Sequence, residues 1–298
     1  MAFQLQMPHR RRTALRRLIV GALAAAALLL QAGEPTSAQQ KTPLRVAYTK
    51  VITWLPVMIA KDEGLFDKNG LDVTLTPFTQ IANLPGTLGK QFDIAPTTAP
   101  DMLNAVANGI NLAAVAGETI ETSANKAYQV LVRADSGINS PKDLTGKRIA
   151  GPGVGSVMHV VLVDWVKRDG GDPSGIVGVM LANGFKSLGD PLLSISDPIL
   201  FPYWIADADW ARANRGVIGK FTASLGAALQ IIKSDEKKAR AILAKYTGLP
   251  DAVIARIPIP HYDFGIAPEQ LEPYQKLMVR QGYPVDKLDM KKLVITGN

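Results

Sequence analysis

Apolar and polar side chains alternate along Leu44-Arg45-Val46-Ala47-Tyr48 and again along Leu71-Asp72-Val73-Thr74-Leu75, and this period of two predicts a strand in each place. Between them, Leu55-Pro56-Val57-Met58-Ile59-Ala60-Lys61-Asp62-Glu63 has the spacing of a helix with proline in its first turn and Gly64 as its stop. Strand, helix and strand in so short a span make a βαβ unit, which requires the two strands to run parallel. The pattern then repeats. Phe92-Asp93-Ile94-Ala95 predicts a short strand, Pro100 to Asn108 a helix closed by Gly109, and Leu112-Ala113-Ala114-Val115-Ala116 a further strand.

Tyr128 to Val132 predicts another strand, followed by the turn residues Asp135-Ser136-Gly137. Asp143 to Ala150 is a loop feeding a strand, Gly151-Pro152-Gly153-Val154-Gly155-Ser156 a glycine-rich turn, and Val157 to Lys167 an apolar helix. The last third predicts helices over Trp210–Lys233, Asp235–Tyr246, Asp251–Arg256 and Pro268–Gln281. Alternating α and β elements with a helical tail define an α/β protein.

The N-terminus changes the meaning of the charge. His9 to Arg17 is strongly basic, Leu18 to Leu30 is wholly apolar, and Thr36-Ser37-Ala38 is a run of small residues. Together these are the three parts of an export signal, with cleavage expected after Ala38. The apolar core is shorter than the roughly 20 residues a spanning helix needs. Arg11-Arg12 and Arg16-Arg17 are compatible with a twin-arginine route as well as the general one. Residues 1–38 hold five Arg and one Glu, so the net charge falls from +7 in the whole chain to +3 in the processed one. That balance, without a Lys/Arg run interleaved with aromatics, argues against a nucleic-acid partner.

The chain has no cysteine, which removes thiol nucleophiles, cysteine-held zinc and iron–sulfur clusters. Gly151-x-Gly153-x-Gly155 lacks the spacing of a dinucleotide fingerprint, and there is no G-K-[ST]. No H-E-x-x-H or G-x-S-x-G is present, and no metal or cofactor is expected.

Five segments in order resemble one family. Trp54-Leu55-Pro56-Val57-Met58-Ile59-Ala60-Lys61-Asp62-Glu63-Gly64-Leu65-Phe66 resembles the P-x-x-x-A-x-x-x-G-x-F opening of the periplasmic substrate-binding proteins of ABC importers, nitrate/sulfonate/taurine type, with the thiamine-pyrimidine-type proteins as relatives. Leu71 to Leu75 is similar to that family's second strand, Phe92 to Pro100 to its strand-to-helix binding loop, Ile138 to Ile149 to its DL-x-GK segment, and Gly153 to His159 to its Gly-Ser-x-x-His helix start.

The resemblance implies a two-lobed periplasmic-binding-protein-like fold of type II. Lobe I would comprise residues 39–127 and 200–298, and lobe II residues 128–199. It also implies strand, helix and strand after Asp172, where this chain passes from Pro173 to Phe185 with too few residues for them. A deletion near 173–183, shortening the second lobe, is therefore expected. The implied function is capture of a small anion by lobe closure and delivery to membrane permease subunits, by a monomer in the periplasm and without catalysis. Candidate ligand contacts are Thr49 and Trp54 in the first loop, Thr97 and Thr98 in the second, and Gly155, Ser156, Val157 and His159 at the second-lobe helix. By residue type alone, Thr97 and Thr98 serve equally as helix caps, Trp54 as a hydrophobic staple and His159 as a partly buried structural histidine. Two alternatives are a sensor-type binding protein without a transport role and a pyrimidine-synthase-like enzyme; the second runs against the absence of cysteine.

Overall fold

The computed structural model describes residues 40–147, 156–173 and 185–297. The expected export signal, the expected turn from Gly151 to Gly155 and nearly all of the expected deletion zone lie outside the described residues. The predicted parallel pairing is present: β1 (Thr42–Tyr48) runs alongside β2 (Leu71–Pro77), with Leu44 opposite Val73 and Val46 opposite Leu75. The connection is α1 (Leu55–Asp62) and the single turn α2 (Leu65–Lys68). Gly64 separates them at φ 64°, a left-handed conformation that costs glycine nothing and ends α1 where the sequence predicts.

β3 (Ala95–Thr97) starts later than the predicted run at Phe92, although Ile94 already bridges Val46 of β1. It leads into α3 (Ala99–Ala107) and β4 (Leu112–Gly117). β5 (Ile120–Glu121), β6 (Val130–Arg133), α4 (Val157–Arg168), β7 (Phe185–Gly189) and β8 (Ile199–Leu200) follow. Then come β9 (Tyr203–Asp207), α5 (Ala208–Ala213), α6 (Arg215–Ser234), α7 (Glu236–Thr247), α8 (Asp251–Ile254) and α9 (Glu272–Arg280). None of the described helices is long and apolar enough to cross a membrane.

β9, like the short β5, β7 and β8, is a strand the sequence pattern misses. It lies between β3 and β4, antiparallel to both, and the Val46–Ile94 bridge joins β1 and β2 to this group, so the strands run β2-β1-β3-β9-β4. Tyr203-Trp204-Ile205-Ala206 shows no alternation because both faces of a central strand are buried. Two predicted helices are also divided. Asn214 interrupts the expected Trp210–Lys233 helix, where its side-chain amide donates to the Trp210 carbonyl at 2.8 Å, a local bond that competes with the helical ladder. The expected Pro268–Gln281 helix becomes a short 3-10 turn and α9.

Two cores lie on opposite faces of this sheet. On one, Val46, Trp54, Met58, Phe66, Trp204 and Phe221 pack with α1, α6 and α7. On the other, Met102, Leu103, Ala114, Tyr203, Ile205, Tyr274 and Leu277 pack with α3 and α9. α4 belongs to this second core through Val157, Val160 and Val161, and turns Leu162 and Val166 toward a third, smaller cluster with Val130 and Val132 of β6. β6 pairs antiparallel with β7, and the chain leaves and returns through the β5–β8 ladder, with Ile120 opposite Leu200.

Candidate functional site

The carboxyl ends of β1, β3 and β4 open at one edge of the sheet, where ligands gather in open α/β folds. After β1, Thr49 is buried, and its carbonyl accepts the Val51 N–H at 2.9 Å. A short turn, Ile52–Trp54, then feeds α1. Trp54 lies in the first core, 1% exposed and edge-to-face with Trp204 at 4.7 Å between ring centres. Its neighbour Thr53, not a predicted contact, shares a hydrogen bond of 2.9 Å with the Tyr128 hydroxyl.

After β3, Thr97 is fully buried and its hydroxyl reaches the Thr98 carbonyl at 3.4 Å. Thr98 occupies the N-cap position of α3 with extended backbone, but its hydroxyl does not cap the helix; it donates to Asp101 Oδ2 at 2.6 Å. Burial raises the Asp101 pKa, and the Thr98 hydrogen bond opposes that rise. At the other helix start, Ser156 does cap α4, accepting the His159 N–H at 3.4 Å. Val157 is buried in the second core, which also holds Ala99 and Met102 of α3, and α3 and α4 pack against each other. His159 is half-buried, and desolvation lowers its pKa, favouring neutral imidazole. Gly155 lies outside the described residues.

Several polar groups here carry no expectation from sequence. Glu118, directly after β4, is fully buried and accepts the Trp204 indole N–H on Oε2. Burial holds its pKa well above the ordinary range against that hydrogen bond. Glu121 of β5 is buried, accepts the Tyr128 N–H at 3.2 Å, and is pushed up to about 8, first by burial and then by the Asp190 carboxyl. Asp190, just past β7, is raised by the same desolvation and accepts the Leu192 N–H at 2.8 Å. The signal for Glu118 was a lone carboxylate ending an otherwise apolar strand, a place where a charge must have a purpose or a partner. Among the described residues there is no cluster of three or more His, Asp or Glu able to hold a metal ion.

This fold recurs in solved structures. The periplasmic aliphatic sulphonate binding protein SsuA from Escherichia coli superposes with a TM-score of 0.70 at 20% identity, over 84% of this chain and 91% of that one. The fold is that of the periplasmic binding proteins. The alkanesulfonate-binding protein SsuA from Xanthomonas axonopodis pv. citri, bound to MOPS, matches with a TM-score of 0.65 at 20% identity, over 86% and 99% of the two chains. The periplasmic nitrate-binding protein NrtA from Synechocystis PCC 6803 matches with a TM-score of 0.61 at 16% identity, over 85% and 84%. Residues 52–193 match the family model described as NMT1/THI5 like, and no curated protein sequence matches the chain. The family resemblance read from the ordered sequence segments and these neighbours agree, and each of these three neighbours is named as a binding protein. In the binding-protein fold seen here, Thr98 and Ser156 stand at helix starts and Glu118 just past the end of β4, on segments remote in sequence.

Proposed function

We propose that this protein is the extracytoplasmic solute-binding component of an ABC import system. It is exported, cut near Ala38, and captures a small molecule bearing an anionic group, of the sulfonate, nitrate or taurine kind, for delivery to membrane permease subunits. The observation that carries this reading is the packing of α3 against α4, whose N-cap positions are Thr98 and Ser156. Helix starts offer unpaired N–H groups and the positive end of the helix dipole, which favour an anion. Thr98 and Ser156 add a buried hydroxyl at each start, with Thr49, Thr97 and His159 nearby in the same loops and helix. The names of the sulfonate- and nitrate-binding neighbours support the same ligand class.

In this reading residues 39–127 and 200–298 form one lobe and 128–199 the other, and the β5–β8 ladder is the crossing between them. A bound solute would favour a closed arrangement of the two lobes over an open one. The test is a thermal-shift screen of the purified protein with nitrate, sulfate, alkyl and amino sulfonates, and aromatic acids. A ligand bound only by the native state raises the melting temperature. We expect at least one member to do so, and Thr98→Phe to abolish that shift while the protein still melts cooperatively. A panel without any shift overturns the reading.

A further inference from the structure

Glu118 sets a chemical requirement that an anion site by itself does not explain. Its side chain is fully buried, Oε2 accepts from the Trp204 indole, and Oε1 has no hydrogen-bond partner. An unpaired oxygen on a buried carboxyl is costly, and native structures rarely keep one without a use. The walls around it are aromatic. Trp204 holds one oxygen, while the Glu118 carboxyl lies close enough to Tyr128 and Tyr262 to add its charge to the burial that already raises both phenols. The two hydroxyls are engaged elsewhere: Tyr128 with Thr53 at 2.9 Å, and Tyr262 donating to the Ile52 carbonyl at 2.5 Å. Of these three aromatic walls, Trp204 and Tyr262 are sealed and Tyr128 alone reaches solvent. Glu118 therefore lies just past the end of β4, and the Tyr128 and Tyr262 hydroxyls beside it bond to the turn that starts α1.

A buried carboxyl with an unused oxygen, held on its other oxygen by an indole N–H, is a receptor for a cationic N–H group, which donates a charge-assisted hydrogen bond to the carboxylate. We propose that Oε1 of Glu118 accepts an N–H from a primary ammonium at the inner end of the solute, so that the ligand is an amine-bearing organic acid rather than a donor-free oxyanion. This rests on the solute-binding reading and narrows it. Without ligand, the buried carboxyl holds a proton; a docking ammonium replaces that proton as its partner, so binding releases about one proton to solvent.

The experiment is titration calorimetry on the purified protein with two matched pairs, ethanesulfonate against 2-aminoethanesulfonate and 4-methylbenzoate against 4-(aminomethyl)benzoate. Each is run in two buffers of different ionisation enthalpy. The expected result is at least tenfold tighter binding of the amine in one pair, with proton release for that member only. Glu118→Met, which keeps the shape and removes the buried carboxyl, should erase both the preference and the proton release. Glu118→Gln, which keeps an acceptor, should erase the proton release and retain part of the preference, and it serves where the methionine variant fails to fold. If the donor-free members bind equally well, or the amine binds without proton release, the role of Glu118 is overturned while solute binding stands. If sulfonates, carboxylates and nitrate all fail to bind, the solute-binding reading falls and this inference with it.

Discussion

The indole N–H of Trp204 in β9 donates to Oε2 of Glu118 at the end of β4, joining two neighbouring strands that are 86 residues apart in sequence. Trp204 is at the same time the edge partner of Trp54, 4.7 Å away, and of Phe221, 5.2 Å away. One side chain thus ties the first core to the polar floor of the site.

Replacing Trp204 with Phe removes the donor and part of the packing while leaving the buried carboxyl in place. The expected loss is about 3 kcal/mol, combining a small cavity with an unpaired buried acceptor. Adding Glu118→Met should return a measurable part of that loss, because replacing both partners by apolar groups is close to neutral. Urea midpoints of the two single variants and the double variant measure the coupling. An unchanged cost for Trp204→Phe in the Glu118→Met background would show that the hydrogen bond contributes nothing.

Stability should fall as pH rises from about 4.5 to about 8. Glu121 has an ordinary value of 4.5 and is pushed up to about 8 in the fold, so over that interval the native state binds more protons than the unfolded one. Raising pH therefore favours unfolding until Glu121 has ionised in both states, and its contribution is level above about 8. Asp190 and Asp101 are raised by burial and add slope of the same sign. The exposed Asp67, Asp135 and Asp143 are lowered and act only in the more acidic range. Melting temperatures at pH 5.5 and 8 should differ by several degrees in the native sequence and by clearly less in Glu121→Gln. An equal difference in the two proteins would remove Glu121 from the explanation.

Gly117 should tolerate no side chain. A Cβ there would meet the backbone carbonyl oxygens of Asp263 and Gly265 inside normal contact distance, and backbone cannot step aside as a flexible side chain can. Gly117→Ala is expected to cost about 3 kcal/mol. In contrast, Gly226 within α6 has nothing within 4 Å of its would-be Cβ, so Gly226→Ala should be stabilising by about 0.5–1 kcal/mol. Denaturant titrations of the pair settle it: equal effects would mean that the approach of residues 263–265 to β4 is loose.

Elements whose two faces differ were legible from the chain alone. β1, β2 and α1 each have one buried and one wetter side or a clear stop, and alternation, Pro56 and Gly64 place them within a residue or two. The second helix start was legible too, because Ser156 before an apolar run is a cap and proves to be one. β9 was not, since burial on both faces erases the periodicity by which a strand is recognised. Thr98 shows the same limit on a smaller scale. Its residue type predicts a cap, but a buried carboxylate one turn on, Asp101, takes its hydroxyl instead. The sequence determined the α/β alternation and the strand-to-helix loops after β1 and β3, because those depend on neighbours a few residues apart. Only the tertiary structure decided that Glu118 would be buried against Trp204, and that α4 would pack against α3. Those are contacts between distant segments, and local patterning carries no record of which distant side chain will arrive.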